Sequence, residues 1–485
     1  MLPSPSSPLK PLWPDFAYKE HQIAGVTWML AREKATAGPR GGILCDEMGL
    51  GKTIQMVALM KLGVTKPREQ NLLIVPVAVL EQWKTVIRRA GMTVIVPAKG
   101  SRSWEVQGPL ASALAPQVYV IGYEMAQRHP ALVTAYAFDR LIYDEAHRIG
   151  SDNAATDLAR GINAPRKWLL TATPIVNKVR DLTTLLSVIG VEFHEGVSKL
   201  DALLPLIKQY VLARTMDQLR ASIPDAPPKP MYKDITLDFA TEEEAEFYRG
   251  IQGILTRRWR AMDAEAGGAA ALEKLKLFMR LRQLSLHPQV YIDAQKKRLK
   301  NLYTRPDWTG SSTKFDAICR LMRDSTKSHK WIVFCHFHKE MDLLSQLLRA
   351  ESCVDVVHIY HGGLSPAQKQ DVLDKTQLPV AEGKQEVLLV QLQSGGTGLN
   401  LQHFDRIVFT GPWWTSALME QAVGRAVRIG QHKVVKVFHL RLAEEQTENI
   451  DMIMRKKADA KGDLCREVLS NATTAVKLVE LGATA

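Results

Sequence analysis

Three groups of residues have types and spacing that could do chemistry on a nucleoside triphosphate. In Asp46-Glu47-Met48-Gly49-Leu50-Gly51-Lys52-Thr53 two glycines precede a lysine and a hydroxyl. Glycines let a backbone turn tightly and bring its N–H groups to phosphate oxygens, and a helix starting there adds its positive end. Lys52 would reach the β and γ phosphates, and the Thr53 hydroxyl would ligate Mg²⁺. The general phosphate-loop pattern asks for glycine where this chain has Asp46. That departure argues against a generic nucleotide kinase. Asp144-Glu145-Ala146-His147 follows about 90 residues later. Asp144 has the type needed to hold Mg²⁺ through water, and Glu145 the type needed to orient and deprotonate an attacking water. Arg425 and Arg428, three residues apart, share one face if their segment is helical, and their charged forks suit a γ-phosphate in the transition state.

These residues need strands and helices to hold them. Gly41-Gly42-Ile43-Leu44-Cys45 reads as a strand and residues 54–60 as a helix, so the loop joins strand to helix. Residues 18–30 carry apolar side chains at helical spacing just upstream. Further strand-like runs at 72–75, 118–121, 141–143 and 168–171 alternate with helical segments. Such alternation predicts a parallel sheet covered by helices, with ligands at the carboxyl ends of its strands. The strand pattern lapses between about 190 and 310, where residues 241–244 open a helix and 272–286 form another. It returns at 331–334, 354–359, 387–390, 406–409 and 434–440. The predicted class is α/β: two lobes of parallel sheet flanked by helices, with a helical insertion between them. The expected boundaries are a proline-rich lead-in over 1–15, an ATP-binding lobe over 16–190, the insertion over 191–312, a second lobe over 313–470 and a tail over 471–485.

Composition bounds the partners. The 485 residues carry 63 Lys plus Arg against 51 Asp plus Glu, a net +12 that favours a polyanion such as nucleic acid. No run reaches the roughly 18 apolar residues of a membrane helix and no secretory leader is visible, so an intracellular protein without a membrane partner is expected. The five cysteines lack a C-x-x-C pair, which argues against a disulfide framework, a zinc ribbon or a RING module. The basic run Lys296-Lys297-Arg298-Leu299-Lys300 reads equally as a solvated helix face, an import patch or a contact to nucleic-acid backbone.

The loop, Asp144-Glu145-Ala146-His147, Thr171-Ala172-Thr173-Pro174, the segment from Ser394 to Leu401 and the segment from Gln421 to Gln431 occur in that order. Together they resemble the Swi/Snf-type ATPases of helicase superfamily two over residues 16–470. Leu281-Arg282-Gln283 with His287-Pro288 is similar to a hallmark that sets this family apart from RNA-unwinding relatives. The resemblance implies that the two lobes are RecA-like and form an ATP- and Mg²⁺-dependent motor that tracks along double-stranded DNA through its backbone, acting on nucleosomes or other DNA-bound proteins, as a monomer, and in the nucleus if eukaryotic. It implies that Gln22, Asp46, Glu47, Met48, Gly49, Leu50, Gly51, Lys52, Thr53, Gly398 and Asn400 bind nucleotide. Lys52, Asp144, Glu145, Arg425 and Arg428 would be catalytic, with Thr53 and Asp144 at the metal and both arginines supplied by the second lobe. DNA contacts would come from Pro76, Trp83, Gly122, Tyr123, Thr171, Gly395, Gly396, Thr397 and Trp414, whereas Trp413 reads as core and His287 as structural. Gly424 and Val427 stand where the family more often has Asp and His. Two other readings stay open at this point: a strand-separating DNA or RNA helicase, and a catalytically silent DNA-binding scaffold.

Overall fold

The computed structural model describes residues 9–100, 103–108, 111–150, 153–193, 200–263, 268–395, 399–443 and 448–472. The chain divides into two units, one of residues 1–226 with 461–485 and the other of residues 227–460.

The first unit is built on strands β1 (Arg40–Leu44), β2 (Gln70–Val75), β3 (Thr93–Pro97), β4 (Trp104–Val106), β5 (Gln117–Gly122), β6 (Arg140–Asp144), β7 (Arg166–Leu170) and β8 (Val211–Leu212). They lie in the order β4-β3-β5-β2-β6-β7-β1-β8, and every pairing except β3 with β4 is parallel. A parallel strand is covered on both faces, so its sequence is a near-continuous apolar run, as in Leu72-Leu73-Ile74-Val75. Successive side chains supply opposite cores: Ile43, Leu72, Ile74, Leu141 and Tyr143 serve one, and Leu44, Leu73, Val75 and Ile142 the other.

At the amino ends of β6 and β7 sits a buried ion network. Arg140 donates to Glu33 at 2.6 Å and to Glu69 at 2.7 Å, Arg166 lies 3.2 Å from Glu69, and the Trp168 indole donates to Glu33 at 2.8 Å. Burial works against the Glu69 charge, but Arg140, the Thr65 N–H and Arg166 outweigh it and hold the carboxyl below its ordinary value. The charge contributes stability that is full above the unfolded-state carboxyl pKa and is lost as the pH falls through the lower folded value.

The second unit carries β9 (Met231–Leu237), β10 (His329–Cys335), β11 (Val354–Tyr360), β12 (Gln385–Gln391), β13 (Arg406–Phe409) and β14 (Lys436–Leu442). Their order is β11-β12-β10-β13-β14-β9, and all pairings are parallel. Here too the strands alternate between cores, with Trp331 and Val333 on one face and Ile332 and Phe334 on the other.

The segment expected to be a helical insertion, 191–312, is divided. Val211–Leu212 completes the first sheet, while Met231–Leu237 is the edge strand of the second. The edge strand reads Met-Tyr-Lys-Asp-Ile-Thr-Leu with its first four residues exposed, so it lacks the apolar run that marks the buried strands. Helices Glu242–Asp263, Gly268–Leu286 and Pro288–Leu299 follow it in the second unit, packed around Phe247, Tyr248, Leu284, Tyr291 and Ile292. The expected boundary at 470 is also displaced, since Val468 and Ala472 of the segment at helix Ile450–Asn471 lie in a core of the first unit.

Replacing Arg140 with Leu leaves Glu33 and Glu69 with less compensation for their buried charge. Denaturant unfolding of this variant at neutral pH should show a loss of about 3–5 kcal/mol, the usual cost of breaking a buried pair from one side.

Candidate active site

Three neighbouring strands bring the phosphate loop, the acid pair and Thr171 together. Leu44 of β1 pairs with Leu170 of β7, and Leu170 with Asp144 of β6, so residues 45–53, 144–147 and 171–174 all leave from carboxyl ends on one side of the sheet. Gly49 (φ 87°) and Gly51 (φ 82°) turn the loop through the left-handed region into the amino end of helix Lys52–Leu62. A Cβ on Gly51 would lie 2.5 Å from Gln22 Nε2, the movable end of a side chain, so it is the left-handed conformation that calls for glycine there. Lys52 Nζ folds back over the loop and donates to the Asp46 carbonyl at 2.6 Å. Gln22 is buried, accepting from the Lys19 N–H at 3.1 Å and reaching the Leu50 carbonyl at 3.5 Å.

The Asp46 side chain is not part of the phosphate cradle. Its carboxylate is fully buried, accepts from Arg214 Nε at 2.9 Å, pairs with Arg214 Nη2 at 2.5 Å, and accepts from Gln55 Nε2 at 2.9 Å. Arg214 follows β8, the strand next to β1, and also donates to the His21 carbonyl. Lys52 thus meets the Asp46 carbonyl, while the Asp46 side chain, a residue expected at the nucleotide, is engaged by Arg214 and Gln55. Arg214 went unnoticed in the sequence, although an acid in a glycine position at a strand end signals that some base must meet it. Glu47 Oε2 accepts from the Met216 N–H at 2.6 Å, which ties the loop to the same segment.

Asp144 is held differently. Its Oδ2 accepts from the Trp83 indole at 2.8 Å and its Oδ1 from the Glu145 N–H at 3.0 Å. Burial first and the Glu145 charge second push its carboxyl up to about 6, opposed by the Trp83 hydrogen bond and the Lys52 charge. Glu145 has φ 51°, a left-handed conformation that costs a non-glycine residue energy. Tyr123 braces this turn by donating to the Asp144 carbonyl at 2.8 Å and the Glu145 carbonyl at 3.3 Å. His147 Nδ1 lies 3.4 Å from Glu145 Oε2 and 3.2 Å from Thr171 Oγ1, and Thr171 Oγ1 accepts from the Thr173 N–H at 3.1 Å. Burial, then the Arg148 charge, lowers His147 to about 4, so its ring is neutral at physiological pH.

Trp83 and Tyr123, expected at DNA, are 1% and 5% exposed and face inward. Trp83 lies on the apolar face of helix Leu80–Arg89 with Ile87, and a buried indole N–H needs an acceptor, which Asp144 supplies. Thr171 is also fully buried, and Pro76 and Gly122 are buried at the ends of β2 and β5.

ATP and Mg²⁺ fit these residues. The glycine turn, the helix amino end and Lys52 suit a triphosphate. Asp144 has accepted hydrogen bonds from neutral donors and keeps lone pairs for a hard cation, which Thr53 would share with it.

In the second unit, Arg425 and Arg428 were expected on one helix face, but helix Ser416–Val423 ends before them. The Arg425 carbonyl accepts from the Leu401 N–H at 3.1 Å, and the chain turns at Gly430 (φ 98°), so both arginines lie in turns. Arg428 Nε donates to the Gly424 carbonyl at 2.8 Å. Gly395 ends helix Leu392–Gly395, and Asn400 Oδ1 accepts from the Gln402 N–H at 3.4 Å. Gly396, Thr397 and Gly398 lie outside the described residues. Arg282 is buried with its guanidinium 4.5 Å from the Trp413 ring and 5.6 Å from the Trp414 ring, and Nη2 is 3.0 Å from His336 Nδ1. Trp413 stacks on His336 with centroids 5.3 Å apart, while Trp414 is half-buried against Phe278. His287 caps helix Pro288–Leu299, accepting from the Gln289 N–H at 3.0 Å.

Two α/β units, one carrying a phosphate loop and an acid pair at the ends of strands that flank β7, define a helicase-type ATPase core. Residues 21–290 match the SNF2-related domain family and residues 313–430 the helicase conserved C-terminal domain family. The chain belongs to the SNF2-related family, as its motifs indicated. It is 25% identical over 462 residues to an uncharacterized ATP-dependent helicase of Mycoplasma pneumoniae, covering 91% of this chain and 41% of that protein. It is 24% identical over 455 residues to a probable ATP-dependent DNA helicase of Arabidopsis thaliana, covering 87% and 41%. The chain thus spans about two-fifths of the length of these relatives. Among solved structures it is similar to the Sulfolobus solfataricus SWI2/SNF2 ATPase core in complex with dsDNA, at 21% identity and TM-score 0.40, covering 97% of this chain and 99% of that one.

If Trp83 positions Asp144, Trp83→Phe should lower ATP turnover about 10-fold or more, the scale of losing a partner behind a metal ligand. Affinity for duplex DNA, measured by fluorescence anisotropy, should stay within about twofold.

Proposed function

We propose that this chain is a DNA-dependent ATPase that uses ATP hydrolysis to move along double-stranded DNA and displace or remodel proteins bound to it. The observation that carries the reading is the placement of Lys52, Asp144 and Glu145 at the carboxyl ends of β1 and β6, with only β7 between those strands. A silent scaffold has no need of a strained Glu145 or of a half-buried acid held by neutral donors.

Lys52 and the loop N–H groups would hold the triphosphate, and Thr53 with Asp144 would hold Mg²⁺. Mg²⁺, when bound, neutralises phosphate charge that develops during cleavage. Glu145 would orient a water and take its proton, its backbone set in a left-handed turn at φ 51°. Arg425 and Arg428 would take the arginine-finger role that the family resemblance gives them. The link from Glu145 through His147 to Thr171 would connect the acid pair to the segment that the resemblance associates with DNA coupling.

DNA as the track is supported by the +12 charge, by the Swi/Snf-type motifs and by the likeness to a probable DNA helicase of Arabidopsis thaliana. Phosphate contacts make such binding sequence-tolerant and salt-sensitive. Nucleosomes or other DNA-bound proteins are the proposed targets, in the nucleus if the source is eukaryotic.

Glu145→Gln should bind ATP with near-normal affinity and hydrolyse it at least ~100-fold more slowly, the scale of losing a general base. With the wild-type chain and ATP, a triplex-forming strand should be released from duplex DNA while the duplex strands stay paired. Separation of those strands would favour the strand-separating helicase instead.

A further inference from the structure

The amino edge of the first sheet holds a cavity that the nucleotide site does not use. Its volume is about 530 Å³, within the roughly 300–1,000 Å³ usual for small-ligand pockets. Pro39 precedes β1, Ala164 precedes β7, Ile189 and Val191 follow helix Val179–Val188, and Tyr210 precedes β8; all five line the cavity. Four of them, Ala164, Ile189, Val191 and Tyr210, belong to the core on one face of the sheet, so the cavity opens onto that core. The phosphate loop and the acid pair leave from the carboxyl ends of β1 and β6, and the cavity lies at the other end of the parallel strands.

Lys167, the second residue of β7, also lines the cavity. Strand residues alternate sides, so Arg166 and Trp168 turn to Glu33 while Lys167 turns to the cavity, between Gly41 of β1 and Leu141 of β6. A central strand is an unfavourable place for an ammonium group. Lys167 is nevertheless half-buried there and has no hydrogen bond or ion pair among the described residues. Other half-buried lysines have acceptors: Lys61 has the Leu12 carbonyl at 2.6 Å, Lys296 has Asp307 at 2.8 Å and Lys330 has Glu386 at 2.8 Å. Lys19 also lacks one, but it precedes a helix and does not line this cavity. Burial holds the Lys167 ammonium below its ordinary value, with no carboxylate offsetting it.

Tyr210 adds a second unused group. Its ring is 4% exposed and held by Arg32 at 4.4 Å, while its hydroxyl has no hydrogen-bond partner among the described residues. That hydroxyl lies against Gly38, a lining residue at φ 74° where a Cβ would stand 2.7 Å from it. Arg40 and Glu192 are exposed lining residues of opposite sign, which leaves Lys167 as the net charge of the site.

We infer that this cavity binds a small monocarboxylate with an apolar or aromatic body, its carboxylate on Lys167 and the Tyr210 hydroxyl and its body against Pro39, Ile189 and Val191. One net positive charge matches one negative charge, and Glu192 opposes polyanions such as nucleic acid. A carboxylate supplies the acceptor that Lys167 lacks, in a charge-assisted hydrogen bond of the stronger kind. The site shares no residue with the nucleotide machinery, so it stands or falls apart from the ATPase reading.

Titration of the full chain with cinnamate, and with its neutral amide cinnamamide, followed by ligand-observed NMR, tests this. Lys167→Met should weaken cinnamate about 10-fold or more, the scale of losing a hydrogen bond to a charged group, and leave cinnamamide within about twofold. Lys167→Arg, which keeps the charge, should stay within about fivefold of wild type. Tyr210→Phe, which keeps the ring beside Arg32, should weaken cinnamate about 2–10-fold. Lys19→Met should leave it unchanged, and saturating ATP with Mg²⁺ should not displace it. Absence of cinnamate binding by wild type overturns the proposal, as does an equal loss of acid and amide in Lys167→Met. Displacement of cinnamate by ATP would place it at the phosphate loop, and displacement by a duplex oligonucleotide would make the cavity a nucleic-acid contact; either result also overturns it.

Discussion

Two aspartates lie at nearby strand ends, Asp46 fully buried and Asp144 half-buried, and the difference in what surrounds them governs the rest of the site. A carboxylate drawn out of water must be compensated, and the compensator decides what the group can still do. Asp46 meets a guanidinium that takes both its oxygens, so its charge is spent on fixing the phosphate loop to the segment after β8. Asp144 meets an indole N–H and a backbone N–H, neither of which carries charge. Its negative charge is therefore still available for a cation, and its raised pKa reflects that lack of compensation. One acid serves the fold and the other is left for chemistry, although both are aspartates next to apolar strands.

The second unit applies the same rule to cations. Arg282 is buried among Trp413, Trp414 and His336, where burial lowers its pKa to about 10, and aromatic faces stand in for a carboxylate. Lys314 is buried too, but it has Asp451 at 2.6 Å. His336 is engaged by Arg282 and lies 3.2 Å from the Gly411 carbonyl.

Most of the architecture was legible because parallel strands buried on both faces leave long apolar runs, and the runs read as strands fall on observed strands. What escaped was polar or short. Met231–Leu237 is an exposed edge and Val211–Leu212 has two residues, whereas Thr93–Pro97 escaped although it is a buried apolar run. Motif spacing marked the residues that the strands bring together, since glycine turns and strand-end acids are local features. Side-chain direction was not legible: Trp83 and Tyr123 sit beside the motifs expected to touch DNA, yet their polar atoms point at the acid pair. Arg214 escaped for a related reason, because its partner Asp46 lies 168 residues away in sequence.

The contrast between the two aspartates can be measured directly through the Mg²⁺ dependence of affinity for a non-hydrolysable ATP analogue in Asp144→Asn and Asp46→Asn. The account predicts that Asp144→Asn binds the analogue with an affinity nearly indifferent to Mg²⁺. Asp46→Asn should unfold more easily while keeping the wild-type dependence on the ion. Loss of that dependence in Asp46→Asn, with its retention in Asp144→Asn, would contradict the account.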